Sequence, residues 1–403
     1  MDECYTYYGV FHDTFSEFYC SILTGINFSP PLYFIFNFIA QLIFPTSIEL
    51  LRMQSLVWTL VGIVLSFLLA KKTFGSLPAL LGTILVLSQS DLLLSQAQEA
   101  RHYSMFFACA AWVLAMQSNK KEHSKKQLLL TLLAHLCLCQ IHYLGIIFSG
   151  LAGLSYLITN GNKKFLHRIP RPILVAWLIS LPIYTLLLST QSSHLGNWPK
   201  PNGLTNLLAT YNDSLSFISV IVPMVGYLMI QIPKDKNQFS TKETTTKNAT
   251  LITTSVLWLV APTLFWLMSR ISELNLFVDR YFIPKEVAVI ILTTWLLNII
   301  IIRILKPSST NIVKYSTVCI CIAFIVVTTK RTSFGLRKET NYHHSLIIEE
   351  SLPHKDEPII LKGDPSYFPN AYLGKNKYIF LIKDKKRANC YRKFSSKLKI
   401  GIK

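Results

Sequence analysis

The sequence predicts an all-α polytopic membrane protein with a small extracytoplasmic α/β region at its carboxyl terminus. Three observations carry this expectation. Of 403 residues, 51% are hydrophobic and only 15% are charged, whereas soluble domains run near a quarter charged. Apolar runs of roughly 17 to 25 residues recur along the chain, the length needed to cross ~30 Å of hydrocarbon. Basic residues concentrate in alternate loops between those runs, as the positive-inside rule requires.

The first 47 residues read as an extracytoplasmic acidic loop with juxtamembrane helices. Residues 1–29 hold Asp2, Glu3, Asp13 and Glu17 and no Lys or Arg. A basic start followed by an apolar stretch is missing, so no signal peptide is visible. Ser29-Pro30-Pro31 breaks the chain, and the run Leu32 to Phe44, 13 residues long, is short enough to be re-entrant or interfacial.

Residues 48–329 form the expected transmembrane domain. Its ten spans are Ile48 to Ala70, Leu77 to Ser95, Tyr103 to Gln117, Gln127 to Ile141, Tyr143 to Thr159, Ile173 to Ser189, Ser214 to Ile232, Thr250 to Met268, Tyr281 to Ile302 and Ile312 to Thr329. The fourth and fifth make one 33-residue apolar stretch, too long for a single straight helix, and His142-Tyr143 is the expected turn. Residues 330–403 form the extracytoplasmic soluble region, in which Pro358-Ile-Ile-Leu-Lys and Lys377-Tyr-Ile-Phe-Leu-Ile read as short strands between turn residues.

Alternating sides from Lys71-Lys72 puts Lys71, Lys72, the lysines of 118–126, the basic residues of 160–171, those of 233–249, and Arg303, Lys306 and Lys314 on one side. That side is cytoplasmic. The outer side then collects the acidic amino terminus, the polar island Gln96 to Ser104, His142-Tyr143, the loop 190–213, and Ser269 to Arg280. Ten spans with an outer carboxyl terminus place the amino terminus outside too, so either Leu32 to Phe44 is a true span and the amino terminus is cytoplasmic, or a first helix lies upstream of Met1, the expectation favoured by a 29-residue start without Lys or Arg. The net charge of +19 does not indicate nucleic acid, because 17 of the 40 basic residues lie after Thr329 and most others sit in short loops that set topology. Cys137-Leu-Cys139 and Cys319-Ile-Cys321 lie inside apolar runs without zinc-ligand spacing, and read as small buried hydrophobes.

The island is an energetic oddity. A carboxylate, a guanidinium, an imidazole and a phenol occupy Glu99, Arg101, His102 and Tyr103 at a membrane edge. Such groups are costly there unless water or a ligand solvates them, which makes the island a candidate site. Asp91, near the outer end of the preceding span, is expected to face the same cavity.

Several stretches together resemble the GT-C glycosyltransferases that use polyprenyl-phosphate sugars, within glycosyltransferase family 39: the protein O-mannosyltransferases and the aminoarabinose transferases of lipid A. They are Asp2-Glu3, Ser29-Pro30-Pro31-Leu32-Tyr33, Glu99-Ala-Arg101-His-Tyr103-Ser, Gln140-Ile-His142-Tyr143 and Asp279-Arg280-Tyr281-Phe-Ile-Pro284, with a weaker tail match at Pro358-Ile-Ile-Leu and Tyr367 to Tyr372. Family members begin with a cytoplasmic stub and a first helix leading into the acidic pair, where this chain begins. Relatives often carry His or Lys before the proline pair, where Ser29 stands here.

The resemblance implies roles, each with a plainer alternative. Asp2 is the expected general base, taking the acceptor's proton as the anomeric carbon is attacked, and Glu3 is the nearest substitute; a solvated acidic pair is the alternative. Arg101, Arg280 and Tyr281 are expected to hold the donor phosphate, because a guanidinium fork matches phosphate oxygens. The alternatives are a Glu99–Arg101 pair capping a helix and an Arg280 that reaches for headgroups. Glu99, His102, Tyr103 and His142 are further active-site candidates, although a lone histidine is more often structural. Trp198 and Lys200 contact the donor or belong to a solvated loop. His343, His344 and His354 have no defensible ligand spacing, so no cofactor is fixed and a divalent metal, though compatible, is not implied.

The implied activity is transfer of one sugar from a polyprenyl-phosphate donor to an extracytoplasmic lipid, glycan or protein acceptor, in a multi-pass protein of the bacterial inner membrane facing the periplasm, with the endoplasmic reticulum as the alternative location. Its partners are that donor, the acceptor and membrane lipids, and no nucleic acid. A transporter or lipid flippase is the rival reading, and an inactive truncated relative a third. Transporters place their charged groups near the bilayer midplane, whereas these gather at one edge.

Overall fold

The computed structural model describes residues 6, 10, 12, 14–24, 29–44, 47–118, 124–159, 170–191, 203–211, 248–271, 277–304, 359–362, 378–382 and 399–402. Asp2, Glu3, Trp198, Lys200, His343, His344, His354 and the expected spans 214–232 and 312–329 lie outside them.

The described chain is helical until its tail. In order it comprises α1 (Phe15–Thr24), α2 (Leu32–Ala40), α3 (Ile48–Phe74), α4 (Ser76–Gln89), α5 (Asp91–Gln98), α6 (Tyr103–Ser118), α7 (Lys125–Ile141), α8 (Gly145–Thr159), α9 (Arg171–Gln191), α10 (203–211), α11 (Ala249–Ile271), a 3₁₀ turn (Asp279–Phe282) and α12 (Pro284–Ile304). Three strands follow, β1 (Ile359–Lys362), β2 (Tyr378–Ile382) and β3 (Lys399–Ile402), paired parallel in that order. β1 and β2 fall where strands were expected. The connections between them lie outside the described residues, so the α/β character expected of the tail remains an expectation.

Helix α3 shows how a bilayer sorts side chains. Its buried positions are largely small or polar, including Ser55, Thr59, Gly62 and Ser66, while Leu60, Val64 and Leu68 face outward. In lipid no hydrophobic gradient separates inside from outside, so small residues collect where helices approach. Gly62 is such a point: a β-carbon there would collide with the Phe107 ring of α6. Helix α11 repeats the pattern, with Thr254, Ser255 and Ala261 inside and Val256, Val260 and Leu264 outside.

Eight of the ten expected spans coincide with helices, but by length and composition fewer qualify as crossings. Among the described residues α3, Arg171–Ser189 of α9, and α11 are long and apolar enough, and α4 with α5 makes a fourth if the bent pair is one span. α6 and α8, with 16 and 15 residues, are shorter apolar helices. The expected turn at His142-Tyr143 separates α7 from α8.

The expected span Leu77 to Ser95 is bent, because α4 and α5, which are apolar enough to cross only together, meet at an angle of 74°. Ser90 causes the break: its backbone is extended, and its hydroxyl accepts the Leu93 N–H at 3.1 Å, capping a new helix. That break redirects α5 and delivers the polar island to its place.

Candidate functional site

The island is strapped to α3 by hydroxyls. Ser55 Oγ donates to the Arg101 carbonyl at 3.3 Å, Thr59 Oγ1 donates to Ser104 Oγ at 3.0 Å, and Ser104 Oγ donates to the Gln96 carbonyl at 2.8 Å. These bonds occupy polar groups that would otherwise be unsatisfied in an apolar interior. They also fix the segment from which Arg101, His102 and Tyr103 project.

The turn between α7 and α8 is held as firmly. His142 ends α7 with an extended backbone. From α9, the Tyr184 hydroxyl donates to the carbonyls of Cys139 and, at 3.2 Å, of His142 itself; these are helix-end carbonyls that lack intrahelical partners. Gly145 completes the turn, donating its N–H to the His142 carbonyl at 2.7 Å. A β-carbon on Gly145 would collide with the Leu138 carbonyl, so only glycine fits.

These two segments and the 3₁₀ turn meet in one cluster. Buried Tyr103 lies at its centre. Arg101 Nη2 donates to the Tyr103 hydroxyl at 3.3 Å, and the Arg101 and Arg280 guanidinium carbons lie 5.3 and 5.9 Å from the Tyr103 ring centroid, within cation–π range. The His102 ring lies 4.3 Å from that of Tyr103 and 5.4 Å from that of His142, and Tyr281 lies 4.7 Å from His142. Phe106 stacks on His142 at 5.2 Å. Thus Arg101, His102, Tyr103, His142, Arg280 and Tyr281, read from three separate stretches, share one site.

Its electrostatics are cationic without being uniformly charged. Burial, with the Arg101 and Arg280 guanidiniums acting in the same direction, lowers the pKa of His142 to about 3. Burial also holds His102 well below the ordinary imidazole value, with His142, Arg101 and Arg280 adding to the effect. Two guanidiniums beside two neutral imidazoles suit an anion with several acceptor oxygens.

The other candidates fall around this centre. Ser29 Oγ lies 3.4 Å from His102 Nε2, which puts the position before the proline pair at the site's wall. The Glu99 carboxylate accepts from the Gln96 amide at 3.2 Å. Asp91, expected to face the cavity, instead opens α5 with its side chain exposed. Among the described residues no three His, Cys, Asp or Glu side chains converge as a metal site.

Two features were not anticipated. The Ser55 and Thr59 strap was signalled by their four-residue spacing, which sets both on one face of an apolar helix. The second is a buried network behind Arg280. Lys285 and Glu286, each 2% exposed, pair at 3.3 Å; Lys285 donates to the Thr210 carbonyl, and the Thr210 hydroxyl donates to Asp279. The network ties α10 and α12 to the turn that carries Arg280 and Tyr281. Charged residues directly after Pro284, at the head of an apolar run, were its signal.

No protein-family model and no curated protein matches the sequence. Solved structures do match in fold. The crystal structure of ArnT from Cupriavidus metallidurans bound to undecaprenyl phosphate superposes with a TM-score of 0.55 at 13% identity, over 90% of this chain and 77% of that one. The apo form of the same protein gives 0.55 at 12%, over 92% and 78%. ArnT is a lipid A aminoarabinose transferase of the GT-C class, so the chain has the fold of a member of the group its sequence motifs resemble.

Proposed function

We propose that the protein is a membrane glycosyltransferase that moves one sugar from a polyprenyl-phosphate carrier to an extracytoplasmic acceptor, whether glycolipid, cell-surface polysaccharide or protein. The observation that carries this reading is the convergence of Arg101 and Arg280 on the Tyr103 ring, beside neutral His102 and His142. The ArnT fold, one of whose structures holds undecaprenyl phosphate, supports a lipid-phosphate donor.

In this mechanism the acceptor oxygen or nitrogen attacks the anomeric carbon. The bond from that carbon to the phosphate oxygen breaks, and the acceptor's proton passes to a carboxylate, assigned to Asp2 with Glu3 as its substitute. The polyprenyl phosphate leaves with an extra negative charge. Arg101 and Arg280 stabilise that charge as it develops, and preorganised donors of this kind contribute more to the transition state than to the ground state. A single base with direct displacement predicts inversion at the anomeric carbon. The site is assigned to the outer face of the membrane on the strength of loop-charge alternation, and that membrane to the bacterial inner membrane by the family resemblance.

The test is transfer by the purified full chain from labelled polyprenyl-phosphate sugars to lipid and polysaccharide acceptors. Transfer or donor hydrolysis that is lost in Asp2→Asn is the expected result. A protein that neither binds undecaprenyl phosphate nor turns over any such donor overturns the assignment.

A further inference from the structure

His142 is more than a packed ring at the end of α7. Its Nδ1 accepts the backbone N–H of Leu144 at 3.1 Å, so Nδ1 carries a lone pair and no proton. A neutral imidazole has one ring proton, which must then sit on Nε2. Among the described residues no hydrogen bond from Nε2 is formed, in a residue that is 5% exposed. An unused N–H in such a cluster is available to an acceptor oxygen of a ligand.

The surroundings fix both the ring and the charge of its missing partner. Phe106 stacks against it at 20°, and Tyr281, Tyr103 and His102 close around it at 4.7, 5.9 and 5.4 Å. With Arg101 and Arg280 both beside Tyr103, an acceptor that reaches this pocket meets two guanidiniums and is therefore anionic. An imidazolium would repel them. A neutral N–H adds a hydrogen bond without that repulsion.

We propose that His142 is a ligand of the donor phosphate, held by the Leu144 amide as the uncharged Nε2–H tautomer and donating that proton to a phosphoryl oxygen between Arg101 and Arg280. This deepens the glycosyltransferase reading and rests on it. The backbone hydrogen bond is the selecting device: it removes Nδ1 from proton chemistry, so His142 binds phosphate and serves as neither acid nor base. The role belongs to binding, and its loss raises the donor KM and weakens product lipid-phosphate binding.

Two amides separate this role from a structural one. In His142→Asn the side-chain oxygen takes the place of Nδ1 and keeps the Leu144 bond, but nothing reaches the Nε2 position. In His142→Gln the amide nitrogen reaches that position and restores the donor. Binding of undecaprenyl phosphate to the purified full chain and each variant is measured alongside melting temperature. Expected are wild-type melting with binding about tenfold or more weaker in His142→Asn, since a hydrogen bond to a charged group is lost, and binding within a few-fold of wild type in His142→Gln. The reverse order, or equal losses in both, overturns the proposal and leaves the ring a packing element. Wild-type protein that binds no undecaprenyl phosphate overturns the underlying glycosyltransferase reading as well, and so distinguishes the two failures. Nitrogen NMR of labelled histidine provides an independent check, because a proton found on Nδ1 of His142 also overturns the assignment.

Discussion

At the scale of single residues, the site depends on where two guanidiniums stand. Arg101 and Arg280 approach the same phenol ring, and removing one preorganised charge donor of this kind typically costs about 10²–10³ in rate. Arg101→Gln and Arg280→Gln are each expected to lower kcat by about that factor in a labelled-donor assay; a loss confined to KM would reassign them to ground-state binding. The histidines predict a dependence on pH. The folded-state pKa of His142 is about 3 and that of His102 is also depressed, while the unfolded chain titrates near 6.5. For His142 the unfolded chain binds more protons between those values, so its contribution to stability is full above about pH 6.5 and is lost as pH falls toward 3, by about 1.4 kcal/mol per pH unit, and His102 acts in the same direction. Melting temperature of the solubilised protein should fall from about pH 7 to pH 5, with a shallower slope in His142→Asn; a flat wild-type profile contradicts the burial of these rings.

At the scale of elements, two devices bring those residues together. The first is the 74° break between α4 and α5, made by the Ser90 cap and visible in the sequence only as Ser90-Asp91, a cap signal inside an otherwise continuous apolar run. A long run of apolar residues outweighs one polar pair in any reading by periodicity, which is why the bend was not expected. The second is the Lys285–Glu286 pair, which roots the turn bearing Arg280. Breaking a buried pair by removing one partner costs about 3–5 kcal/mol, whereas replacing both with apolar groups of similar size costs far less. Lys285→Met should therefore lower the melting temperature sharply, and Lys285→Met with Glu286→Leu should recover most of the loss. Equal destabilisation in the single and double variants would show that the pair does not act as a unit.

At the scale of the molecule, α3 and α11 invert the soluble pattern, with leucine and valine outside and small or hydroxyl side chains at many of the contacts. Val64, 52% exposed on α3, tests whether that outer surface meets lipid. A lysine at the centre of a membrane helix costs about 2.5–3.5 kcal/mol, while an exposed substitution in water costs within about ±0.5 kcal/mol. Val64→Lys should cut the yield of membrane-inserted protein, and an unaffected yield contradicts a lipid-facing α3. Sequence alone determined the helical class, the turn at His142 and the identity of the charged groups, because span length and the expense of charge near hydrocarbon are local properties of the chain. Only the tertiary structure decided that Arg101, His142 and Arg280 meet in one cluster, that Ser55 and Thr59 strap the island, and that α5 turns away from α4. When inner and outer faces are equally apolar, periodicity does not say which side chains meet, and the hydroxyl bonds and small-residue contacts that settle it form only when the helices pack.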